Sequence, residues 1–450
     1  MQSLTNFLIA VVAVAFVLGV MILVHEFGHY AVAKLCGVRV DVFSLGFGKR
    51  LLGFRRGDTD YRISALPLGG YVKMAGENPM ETRTGDPAEF MSHPRWQRLL
   101  IAIAGPTMNI LLAIGIVTGV FMVHYSHDWY LDQPTRVGWV DENSPAAKAG
   151  IKPGDLITQL DGLSNPLWED TKAKIAISPA QPLPVELKRG EQTLNTTLIP
   201  GTYGPSHVGE AGLEPSAGVV VDVIEPKMPA YQAGIRQGDE ILAIDGIGLH
   251  FVGELTDFLQ KNKDKPVEVT AMRDGKVNKY QMTPVLASNN EGGQQYRIGF
   301  IGGVRQHVDK LPFTQALSRS IEQNKKYAML LVELVRKMVE RKVSVKMMSS
   351  PIEIARISGE AAREPGWTPL LLLMAGISLN LGIFNLFPIP ILDGGLMLLL
   401  LIEGLMRRDI SLHIKERIYQ AAFVFLVLFA AMVIFNDITK NLPGLSRLLP

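Results

Sequence analysis

His25-Glu26-Phe27-Gly28-His29 sets two imidazoles four residues apart with a carboxylate directly after the first. On a helix, positions i and i+4 share a face, so both rings can reach one zinc ion. Zinc brings the pKa of water to about 7, and Glu26 is placed to take the proton. The spacing therefore points to metal-assisted hydrolysis, with His25 and His29 as ligands and Glu26 as the group that can take a proton from the water. A purely structural zinc has no use for Glu26. These ionisable residues follow an uncharged apolar run, a costly position in lipid unless they have partners or a function.

A catalytic zinc takes three protein ligands and keeps a fourth position open. One soluble pattern supplies a Glu about two dozen residues downstream, but no Glu occurs between Glu26 and Glu77. Another extends the motif with Gly, where this chain has Val32. Asp393 is the remaining candidate: it follows a long apolar run and precedes the uncharged Gly394–Ile402. Asp393-Gly394 would also suit an ordinary turn.

Four segments lack charge and approach or exceed the roughly 20 residues needed to span hydrocarbon. They are Leu4–Val24, Leu99–Val123, Trp367–Leu392 and Ile418–Phe435. The first has no Lys or Arg before it and no small-residue cleavage site after it, so it reads as a retained span. Eleven Lys and Arg residues lie between Lys34 and Arg98. That bias puts this stretch, and the short loop carrying Arg407, Arg408, Lys415 and Arg417, on the cytoplasmic side. Both termini and the region from about His124 to Gly366 then lie outside. Spans one and three run in the same direction, which brings His25, His29 and Asp393 to similar depth. Net charge is +2, which implies no attraction to nucleic acid. The single Cys36 excludes an intramolecular disulfide.

The outside region repeats itself. Pro145-Ala-Ala-Lys-Ala-Gly-Ile-Lys-Pro-Gly-Asp155 returns as Pro229-Ala-Tyr-Gln-Ala-Gly-Ile-Arg-Gln-Gly-Asp239. Asp161-Gly162 and Arg189 recur at the same offset as Asp245-Gly246 and Arg273. Each copy reads as a short helix, a Gly-Asp turn and an apolar strand. The domains expected are thus 1–124, two modules at 130–205 and 212–290, an amphipathic helix within 311–345, and 367–450.

Two further elements bear on substrate. Helical peptide bonds are shielded, so cutting inside a bilayer requires unwinding, and the freed backbone groups need partners. Tyr61–Met74 alternates and turns at Pro67–Gly70, and it or Phe43–Gly48 can pair with an unwound strand. Gly69, Gly70 and Tyr71 are the residues expected to line that edge, unless the segment is an ordinary cytoplasmic hairpin. Asn385 can hydrogen-bond substrate backbone or an oxyanion, or else a neighbouring helix. Asn109, beside Gly105-Pro106, reads as a helix-packing residue.

The combination resembles the site-2 protease family of intramembrane metalloproteases. The residues that carry this are His25–His29, Gly105-Pro106-x-x-Asn109 and Asn385-x-x-Pro388-x-Pro390-x-x-Asp393-Gly394-Gly395. Phe43–Gly48 and Pro67–Met74 fit as well, and the repeated modules resemble bacterial PDZ domains, as in a Gram-negative subgroup of the family. The resemblance covers essentially the whole chain. It implies a multi-pass α-helical membrane protein of four spans, with two extracytoplasmic PDZ domains of α+β type and a membrane-associated β-hairpin. It implies Zn2+ held by His25, His29 and Asp393, in an inner membrane, with the site towards the cytoplasmic face. The substrates implied are single-span membrane proteins: an anti-sigma factor already shortened by another protease, and remnant signal peptides. The PDZ domains would bind peptides or chain termini, or serve only as packing or steric modules. Ser349-Ser350-Pro351-Ile352 departs from the family's Ser-Gly-Pro-Ile. The competing readings are a catalytically idle PDZ scaffold with a structural zinc and a zinc-dependent transporter or sensor.

Overall fold

The computed structural model of the chain describes residues 2–77, 85–204, 207–288, 293–344, 347 and 351–441. Ser349 and Ser350 lie outside these residues. The helices, in chain order, are α1 (Gln2–Leu35), α2 (Arg95–Val123), α3 (Pro145–Lys148), α4 (Trp168–Ala176), α5 (Pro229–Ala233) and α6 (Val252–Asn262). They continue as α7 (Phe313–Val339), α8 (Pro351–Ala361), α9 (Thr368–Asn385), α10 (Asp393–Met406) and α11 (Leu412–Asn441). Among the described residues four helical stretches are long and apolar enough to cross a membrane: Thr5–Leu35, Arg95–Val123, Thr368–Asn385 and Leu412–Phe435. The chain divides into two compact units, one of Met1–Tyr125, Asp309–Arg336 and Val345–Pro450, the other of Ser126–Val308 and Lys337–Ser344.

In the first unit, α1 does not stop where its uncharged run stops. It carries His25, Glu26 and His29 on regular helix and ends in a Schellman turn at Gly37 (φ +84°), with Val38 N–H bonded to Ala33 O. Lipid-embedded helices gain little from apolarity and associate through small residues that let backbones approach. Gly28 lies against Ala104 of α2, and Gly382 of α9 against Pro106. Ala113, Val117 and Phe121 of α2 pack with Ala375, Leu379 and Ile383 of α9 and Ala316 of α7. Ala13, Val17 and Met21 of α1 pack with Leu370 and Met374. The third apolar run is one helix only to Asn385. Pro388 and Pro390 forbid its continuation, Ile391 takes a positive φ of 99°, and α10 starts afresh at Asp393. Amphipathic α7 runs from Phe313 to Val339, inside the 311–345 read from the sequence.

Between α1 and α2 the chain forms strands Val40–Arg56 and Thr59–Met74. Their register folds them into four short rungs. Val42–Leu45 pairs on one side with Asp60–Ile63 and on the other with Lys73–Gly70, while Leu52–Arg56 pairs back onto Ile63–Thr59. Ile63 and Gly70 both pair with Leu45, so the chain reverses between them, where the sequence placed the turn.

The second unit holds the repeat, and its elements recur in the same order. Strand Val137–Val140, α3, strand Leu156–Leu160, α4, the hairpin Leu183–Leu198 and a last strand Leu213–Pro215 are matched by Val219–Ile224, α5, Glu240–Ile244, α6, Val267–Met282 and Phe300–Gly303. Each last strand pairs with its module's first. The modules therefore run past 205 and 290, because their closing strands are only three or four residues long and follow other short paired strands, Gly201–Tyr203 with Val208–Glu210 and Val285–Ser288 with Gln294–Arg297. Asp155 and Asp239 tie the two halves of their modules together. Each accepts a two-bond fork, from Arg189 at 2.7 and 2.8 Å and from Arg273 at 2.6 and 2.6 Å. Burial pushes both carboxyls up, but the Arg forks and the backbone N–H of Lys152 or Arg236 outweigh it and hold both below the usual carboxylate range.

Candidate metal centre

His25 and His29 are each 8% exposed and their Nε2 atoms lie 3.2 Å apart. Asp393, the first residue of α10, brings Oδ2 to 3.1 Å from His25 Nε2 and Oδ1 to 3.4 Å from His29 Nε2. Among the described residues this is the group of three such side chains whose ligand atoms all lie within 4.8 Å of one another. Donors 2.0–2.1 Å from a tetrahedral zinc are separated by about 3.3 Å, so the three atoms fit that ion. His29 Nδ1–H donates to Ile101 O at 2.7 Å, which leaves the Nε2 lone pair for a metal.

Glycines let the helices close on this point. A Cβ on Gly105 would sit 2.2 Å from His29 Nε2 and 2.9 Å from His25 Cε1. The strap from Leu386 to Pro390 packs onto the first turn of α10, where Cβ atoms on Gly394 and Gly395 would strike its backbone at 2.3 Å. That contact is the physical reason for Asp-Gly-Gly.

Glu26 faces the strand Thr59–Met74 where it passes Gly70. A Cβ on Gly70 would stand 3.4 Å from Glu26 Cγ, so the strand's backbone lies directly against the carboxylate side chain. Gly69 takes a positive φ of 131° and sits against Phe47, whose ring stacks on Tyr71 at 5.9 Å. Asn385 Nδ2 reaches to 3.5 Å from His25 Nε2, so this amide belongs to the centre. Asn109, read from sequence as a helix-packing residue, is fully buried and joins α2 to α9 through its backbone carbonyl, which accepts from Ser378 Oγ, while its side chain also meets His25 Nδ1 at 3.2 Å. Its spacing from Gly105 in α2 could have suggested a contact with the metal helix, but no ligand pattern includes it.

Comparison with known proteins gives the family. The description of Peptidase family M50 matches residues 13–429. The "Regulator of sigma-E protease RseP" of Salmonella typhimurium is 32% identical over 94% of this chain and 97% of its own length. The Escherichia coli protein of that name is 31% identical over 94% and 97%. A Vibrio cholerae relative, 31% identical over 97% and 99%, carries the words zinc metalloprotease in its name. Among solved structures, the PDZ domain of an SdrC-like protein from Listeria monocytogenes is 23% identical, covering 19% of this chain and 87% of its own, with a TM-score of 0.17. The chain belongs to Peptidase family M50, the zinc-dependent site-2 protease family that its motifs resemble.

Proposed function

We propose that this chain is an intramembrane zinc endopeptidase that cuts the transmembrane segments of single-span proteins. His25, His29 and Asp393 would hold the zinc, which supplies Lewis acidity at the scissile bond. Glu26 takes the proton from the attacking water and returns it to the leaving amine. Asn385, at the same centre, is placed to donate to the developing oxyanion. The strand around Gly69, Gly70 and Tyr71 offers backbone groups to an unwound substrate, whose own would otherwise go unpaired in lipid.

The observation that carries this reading is the position of Glu26, between three side chains that could hold a metal and the backbone of a strand, just past the uncharged run of a helix apolar enough to span a membrane. An idle scaffold leaves that arrangement without a use. Charge bias supports an inner-membrane orientation with both termini and the paired PDZ modules periplasmic and the site towards the cytoplasm. Two relatives are named "Regulator of sigma-E protease RseP", and the family resemblance extends this to an anti-sigma factor already cut by another protease as substrate, with remnant signal peptides as a second class. The modules would capture peptides or chain termini, or screen out large ectodomains. Glu26→Gln tests the assignment: zinc content should stay at that of the parent while cleavage of a membrane-embedded single-span reporter is lost. Turnover at the parent rate would overturn it.

A further inference from the structure

The outer rung of the β segment takes no part in the chemistry above. Every residue from Phe47 to Arg56 is exposed. Leu51, Leu52 and Phe54 are 60%, 68% and 63% exposed, and Ile63, which pairs with Leu52, is 48% exposed. Neighbouring strand residues point to opposite faces, so Leu51 and Leu52 leave both faces of this rung apolar and uncovered. Water disfavours such a strand, since a bare apolar edge invites aggregation. Hydrocarbon disfavours it too, because Lys49, Arg50, Arg55 and Arg56 are interleaved and no acidic residue lies among them. Arg50 pairs with Asp60 at 3.2 Å, whereas Lys49, Arg55 and Arg56 form no ion pair among the described residues.

One environment accepts both halves of this pattern. In the headgroup layer the apolar side chains meet acyl chains and the cations meet lipid phosphates. The rung's attachment agrees. Phe54 stacks on Tyr61, and the Tyr61 hydroxyl bonds that of Tyr30, the residue after His29 in α1. The rung is therefore anchored beyond the apolar run of a candidate span. We propose that the edge Lys49–Arg56 is a seat for anionic phospholipid headgroups at the bilayer surface. The seat is joined to the active-site strand. Arg62 hydrogen-bonds the Tyr71 hydroxyl and Phe47 stacks on the Tyr71 ring, one residue from Val72. This inference rests on membrane residence and stands apart from the protease reading.

The test uses the full chain in nanodiscs of phosphatidylcholine alone or of phosphatidylcholine with phosphatidylglycerol. Hydrogen exchange of the amides of 50–64 should slow several-fold in the anionic discs and return towards the neutral-disc rate at high salt. Native mass spectrometry should find phosphatidylglycerol retention weakened about fivefold for each of Arg55→Gln and Arg56→Gln. Equal exchange in the two discs, or slowing that ignores salt, would overturn the proposal without any variant. Protection that appears only when a single-span substrate is added, whatever the lipid, would also overturn it and assign the edge to substrate.

Discussion

Asn109 Nδ2 lies 3.2 Å from His25 Nδ1, while Oδ1 of the same buried amide meets no donor. Exchanging the amide's nitrogen and oxygen, which have nearly equal shapes, lets His25 Nδ1–H donate to Oδ1. His25 then has the same tautomer that Ile101 O imposes on His29, with both Nε2 lone pairs turned to one point. Asn109→Leu should weaken zinc binding about 10- to 100-fold, read by competition with a chromophoric chelator. Unchanged affinity would return Asn109 to a packing role.

Gly105→Ala is expected to do comparable damage by sterics alone. Its Cβ would stand 2.2 Å from His29 Nε2, so either the imidazole or α2 must shift. Zinc content should fall while helicity by circular dichroism is preserved.

Asp393→Asn removes the charged ligand and keeps its shape. Zinc stoichiometry should drop, or the apparent affinity fall steeply, where Glu26→Gln leaves both intact. Equal zinc binding by the two variants would leave the third ligand to be found elsewhere.

The forks at Asp155 and Asp239 make the second unit acid-sensitive. Their folded pKa values lie below the unfolded value of about 3.9, so their stabilisation is complete well above that pH. It is lost as pH falls through the folded values, and the modules should lose stability below about pH 4. Asp239→Asn should destabilise its module by about 3 kcal/mol, the low end for a broken buried pair because Arg273 retains access to water. Chemical denaturation at neutral pH, followed by hydrogen exchange in each module, measures this.

The ligand motif, the apolar runs and the repeat were legible because each is written in local spacing. What escaped depends on which segments meet. Alternation marked strands between 40 and 74, but nothing local says that Val42–Leu45 lies between Asp60–Ile63 and Gly70–Lys73. Leu213–Pro215 and Phe300–Gly303 are too short to show a period, so the modules seemed to end early. Asn109 reads as a packing residue because α2 holds no candidate ligand of its own. Its approach to His25 follows from the crossing of α1 and α2 at Gly28 and Gly105. Asp393 was legible through depth and charge, whereas the strap that seats α10 on Gly394 and Gly395 was not.

Asn385, which reaches the imidazole of His25, stands 360 residues after it in the chain. Ribosomes add about 5–20 residues per second, so His25 and Glu26 emerge roughly 20–70 s before the segment bearing Asn385 and Asp393. Under the proposed assignment, α1 until then holds two ligands and a base with no third donor. On that assignment a nascent or truncated chain would be silent, and the membrane through which it is threaded would not meet a half-built peptidase.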